Sequence, residues 1–141
     1  IAQHAWANIK IANQILGKSI LEDIAKLPPK SFSVEKAAVD YSGGEALWVE
    51  GPIVDNMKGS AILLYDVKKR LTAVFIWAGN SPTEMLKRLA KSSRAKPLKD
   101  KSFNVGDWHV RIEGGDQEQF IAISTSSFDV MTQPNLLTLS S

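Results

Sequence analysis

The sequence predicts an α+β domain: a curled antiparallel sheet of five to seven strands, an N-terminal helix kinked or split near Gly17, and a second helix at about 82–93 packed on one face. Three observations predict it. Apolar residues recur at helical spacing near the start of the chain. From 31 to 79 they alternate or cluster at strand length, and they do so again after 102. Between the two strand sets stands Ser81-Pro82-Thr83-Glu84, a helix-initiating sequence.

The 141 residues match one domain, and a hydrophobic content of 44% can build a core. In the first segment Ala5, Ile9, Ala12, Leu16 and Ile20 recur at steps of four, three, four and four, which places them on one helical face. Gly17 interrupts the stripe. Ser19 and Glu22 have capping-box spacing for a new helix, and Pro28-Pro29 ends it.

Phe32, Val34, Val39 and Tyr41 then form a β-like stretch closed by Ser42-Gly43-Gly44. Leu47-Trp48-Val49 is a second apolar run, broken at Gly51-Pro52. Segments 61–67 and 71–77 flank Lys68-Lys69 as a hairpin, and their Ile, Leu, Val, Phe and Trp content marks the most buried strands. In the second helix Ser81 is the N-cap, Pro82 the first helical residue and Glu84 the third, with Met85, Leu86, Leu89 and Ala90 facing inward. Segments 103–112 and 119–125 make a further hairpin around Gly114-Gly115, with Trp108, Val110 and Ile112 on one face and His109, Arg111 and Glu113 on the other. Phe128, Val130, Leu136, Leu137 and Leu139 fit a last edge strand or a docked extended segment. A helix packed across a curled antiparallel sheet is similar in plan to the cystatins; the likeness is one of shape and implies no activity.

Several chemistries are excluded. With no cysteine there are no disulfides, thiolate metal sites or cysteine nucleophiles. No apolar run has the ~18 residues of a membrane-spanning helix. GxSxG, Walker and HExxH motifs are absent, and the Gly-Gly pairs read as turns. Asp40, Glu45 and Glu50 could supply acid–base carboxylates only inside a pocket, and otherwise read as edge-strand charges. No cofactor is expected. The chain begins at Ile1 rather than Met, which fits either a removed signal peptide or an engineered boundary; of the two, an exported (periplasmic or secreted) mature chain is the favoured expectation, and the compartment is left open.

The strongest compositional feature is basic. From 87 to 101, Lys87, Arg88, Lys91, Arg94, Lys96, Lys99 and Lys101 face Asp100 alone, so this stretch carries +6 and the rest of the chain −4. It reads as a partner-binding patch or as a solvated helix face. Without interleaved aromatics it does not suit nucleic acid. Trp48, beside Gly51-Pro52, fits either core or a contact hot spot, and Trp77 fits the core. His109 and Arg111 share a strand face that could form a small polar site, or simply face solvent.

The expected function is a non-enzymatic binding module, such as an inhibitor, immunity or assembly protein, acting on a protein partner through Lys87, Arg88, Lys91, Arg94, Trp48, His109 and Arg111. One alternative is a carrier for a small apolar ligand held between sheet and helix. Another is an enzyme using His109 with nearby carboxylates.

Overall fold

The computed structural model describes residues 9–39, 41–79, 82–95, 102–114 and 118–125. His4, Ala5, Trp6, Asp40, Ser81, the lysines at 96, 99 and 101, and the tail from Ser126 lie outside them.

The expected helical start is not α-helical where it is described. β1 (Lys10–Ile11) and β2 (Gln14–Ile15) pair as a tight hairpin. Ala12 and Asn13 both have positive φ, as a two-residue hairpin turn of the primed type requires. Tertiary hydrogen bonds override the helical spacing. The Ala12 N–H donates to the Ile53 carbonyl, Gly17 to Leu71, and Leu21 to Lys69, while Leu71 donates back to Ser19. The backbone is thus zipped onto strand ends, yet Ile9, Ile11, Ala12 and Leu16 are still buried. A 3-10 helix (Leu21–Lys26) follows. Its start is organised by Asp23, not by a Ser19–Glu22 box: the Asp23 carboxylate accepts the Ile20 N–H at 3.0 Å, while Ser19 Oγ accepts the Ile15 N–H. That bond to the Ile20 N–H, with Lys26 nearby, lowers the Asp23 pKa.

Then come β3 (Ser33–Lys36), β4 (Ala46–Val54), β5 (Met57–Tyr65) and β6 (Leu71–Trp77). β4 does not break at Gly51-Pro52; it runs on to Val54, with a register shift between Pro52 and Val54. A bulge accommodates the missing proline N–H. The β5–β6 turn is held by Asp66, whose Oδ1 accepts the Lys68 and Arg70 N–H groups.

Helix α1 (Pro82–Ser92) begins at the expected proline and buries Met85, Leu86, Leu89 and Ala90. It ends in a Schellman motif. The Ala95 N–H donates to the Ala90 carbonyl and Arg94 to Lys91, with Arg94 at φ 59°. Glycine suits this left-handed position better than arginine, so Arg94→Gly raises stability by about 1 kcal/mol, read as a higher urea midpoint with unchanged helical circular dichroism.

The stretch expected as one strand at 103–112 is two, β7 (Ser102–Val105) and β8 (Trp108–Gly114), because Gly106-Asp107 turns the chain. β9 (Gln119–Thr125) completes an antiparallel seven-stranded sheet in the order β3-β4-β5-β6-β9-β8-β7. The two meanders join at β6–β9, and α1 carries the chain from β6 to the far edge. This is a sheet-dominated α+β fold with one α-helix among the described residues.

α1 lies against β8, β9 and β4. Its apolar residues share one cluster with Val49, Leu63, Val74, Phe103, Val110, Ile121 and the N-terminal hairpin. One face of the sheet is therefore covered by a helix and a hairpin. Trp108 packs on this side near Gly17. Tyr65 is 0% exposed here, and its hydroxyl has no hydrogen-bond partner among the described residues. Burial raises its pKa, and the Asp23 charge adds to the shift. Removing a buried hydroxyl that makes no bond to any described residue relieves its desolvation cost, so Tyr65→Phe is neutral or stabilises by about 1 kcal/mol in chemical denaturation.

Candidate functional site

The opposite face holds a second cluster of Ile62, Leu64, Ala73, Phe75 and Ala122. These residues alternate with the first core along β5 and β6, which is why both strands read as unbroken apolar runs. Strand register places Glu35, Trp48, Ile62, Phe75, Ala122, Arg111 and Ser102 in one row across the sheet. Glu50, Ser60 and Trp77 lie in the adjacent row, as do Phe120 and its partner Glu113.

Large aromatics from three strands meet where these rows adjoin. Trp48 and Trp77 have ring centroids 5.8 Å apart at 35°, and Trp77 stacks on Phe120 at 5.3 Å and 30°. Phe75 meets Phe120 edge-on at 6.1 Å. Trp77, expected in the core, is half-buried, as are Trp48 and Phe120. The Trp48 Nε1–H donates to Glu50 Oε2 at 3.1 Å, and the Ser60 hydroxyl donates to the same oxygen at 3.3 Å. This fixes the indole by its polar end and leaves its ring for contact.

An open cleft of about 340 Å³ lies against the two indoles, lined by Glu35, Lys36, Ala37, Ala38, Trp48, Trp77 and Glu118. Its wall at Ala37 and Ala38 belongs to the strap between β3 and β4. The Ala37 N–H donates to the Ala46 carbonyl, and the Tyr41 hydroxyl donates to the Tyr65 carbonyl at 2.9 Å. Burial raises the Tyr41 pKa, with the Asp66 charge adding to it.

The fold divides the expected binding residues. Trp48 is at the cleft. Arg111 shares its row but lies four strands away, roughly 19 Å at ordinary strand spacing. Its side chain is only 12% exposed, pairs with Glu113, and donates to Ser124 Oγ at 3.0 Å and to the His109 carbonyl. His109 is half-buried opposite Ser124. Lys87, Arg88 and Lys91 sit on α1, on the other side of the sheet, in an open groove shared with Asp55, Glu84 and Ser92. Arg88 approaches Glu84 at 3.9 Å, so this groove is mixed in charge rather than purely basic. Arg94 stands at the helix C-terminus.

Glu35, Glu118 and Phe120 belong to the site but were not singled out in the sequence. Only the register that aligns β3, β4, β6 and β9 brings them together. No cluster of three or more metal-ligating side chains occurs among the described residues. Compared with protein-family models, curated proteins and solved structures, the chain matches none.

Proposed function

We propose that the chain is a non-enzymatic binding module whose contact surface centres on Trp48, Trp77 and Phe120. The observation that carries this reading is the three-strand aromatic strip beside an open cleft, with Trp48 anchored through its N–H and its ring left half-exposed. Interface hot spots have this character: large, rigid, partly pre-organised aromatics that lose little entropy on contact. The cleft is near the small end of ligand sites, ~300–1,000 Å³, and suits a few side chains of a partner. Inhibitor, immunity and assembly roles all use such a surface. The mixed-charge groove on α1, with Lys87, Arg88 and Lys91 beside Asp55 and Glu84, is a second contact area, on the far side of the sheet.

Affinity capture on immobilised protein tests this reading. Trp48→Ala reduces recovery of a specific partner by about thirtyfold or more, as for a hot spot worth ~2 kcal/mol. The melting transition falls by less than for a fully buried indole, because Trp48 is half-buried, so capture is compared well below the variant's transition. Equal capture by Trp48→Ala and by the unaltered chain would remove the aromatic strip as the contact surface.

A further inference from the structure

We propose that the cleft receives an arginine side chain from an extended basic segment of a partner protein, an inference that rests on the contact surface described above. The charges around the aromatics point to a cation. Glu35 and Glu118 line the cleft against Lys36, and Glu50 is hydrogen-bonded to the Trp48 indole in the neighbouring row. All three glutamates are exposed. The rim is therefore acidic in a chain whose net charge is +2. An anionic guest would meet these carboxylates, and a wholly apolar guest would desolvate them without compensation.

A guanidinium satisfies both parts of the surface. Its plane stacks on an indole face, and its fork of N–H donors fits a carboxylate. The Trp48 N–H is already committed to Glu50, so the indole offers its ring rather than a donor. Contact with Glu50 also brings negative charge beside that ring and strengthens its attraction for a cation. β3 is an edge strand of the described sheet, and its Glu35 and Lys36 line the cleft, so an extended peptide along that edge reaches the cleft. A second copy of this chain could offer Lys87, Arg88 and Lys91 from α1. Those cations lie on the opposite side of the sheet, so such contacts would join copies head to tail.

The test is titration of the full chain, followed by tryptophan fluorescence and calorimetry. The probe is an acetylated, amidated peptide of alternating arginine and glycine. Matched probes are the glutamate–glycine peptide and cellotetraose. The arginine peptide is expected to saturate the signal, with affinity falling as sodium chloride is raised. The double change Glu35→Gln and Glu118→Gln weakens it about tenfold, and Trp48→Ala weakens it at least as much. Both glutamates are exposed, so the double variant keeps its fold and tests charge independently of Trp48.

Absence of saturation by the arginine peptide overturns the proposal, as does equal binding of either matched probe. A partner captured through Trp48 but indifferent to both glutamate changes would overturn the cationic guest and leave the aromatic contact surface standing. Salt-sensitive oligomers in sedimentation, abolished by Lys87→Glu with Lys91→Glu, would overturn it in favour of a second copy.

Discussion

Gly44→Ala is expected to destabilise the protein by about 3 kcal/mol, at the upper end of overpacking costs, because the added methyl has nowhere to go. A Cβ at Gly44 would stand 2.1 Å from the Tyr65 carbonyl oxygen and 2.8 Å from that of Asp66. Both neighbours are backbone, so no rotamer change relieves the contact. The Tyr65 oxygen also accepts the Tyr41 hydroxyl, and the Tyr65 N–H donates to the Glu45 carbonyl at 2.9 Å. Moving the strap away from Tyr65 strains these bonds, and the strap carries Ala37 and Ala38 in the cleft wall. The variant therefore lowers both the urea midpoint and the affinity for a guest in the cleft. An unchanged midpoint would show that the strap does not approach β5 in this way.

Phe103→Ala is expected to cost about 4 kcal/mol, within the usual range for truncating a fully buried phenylalanine. Phe103 is 0% exposed although it lies on β7, an edge strand of four residues. It pairs with Val110 and shares the cluster of Ile123, Val74 and α1. An edge strand has only one neighbour to hold it, so the ring supplies much of what fixes β7 in place. The loss is a substantial part of the ~5–15 kcal/mol that stabilises a typical domain. Equilibrium unfolding by urea measures it. A change under ~1 kcal/mol would mean that this edge is not packed as described.

Legibility in the sequence followed the range of the physics involved. α1 was readable because its signals are local: Pro82, Glu84, and apolar residues one helical face apart. The β5–β6 hairpin was readable because two apolar runs flank a polar turn, and their apolar content marked the most buried strands; that both faces are covered came only from the structure. The β7–β8 turn was missed because 103–112 was taken as one strand, although the apolar positions change phase from Phe103 and Val105 to Trp108, Val110 and Ile112 across Gly106-Asp107. The N-terminal segment was misread for a different reason. Ile9, Ala12 and Leu16 have helical spacing, yet a short isolated helix is marginal without tertiary support. Here the backbone donors go to Ile53 and Leu71, which the sequence does not bring near.

The site divides in the same way. Trp48 could be singled out as a half-exposed indole, but its companions could not, since Trp77 and Phe120 come from strands joined only when β9 returns past α1 to pair with β6. By itself the sequence determined composition-level facts, helix α1, the most buried hairpin and the alternating faces of β8, because these depend on neighbours a few residues apart. Tertiary structure alone decided the strand order, the hairpin in place of an N-terminal helix, and the separation of the α1 cations from Trp48 onto opposite sides of the sheet. The reason is that long-range strand register, not local propensity, sets which side chains share a face.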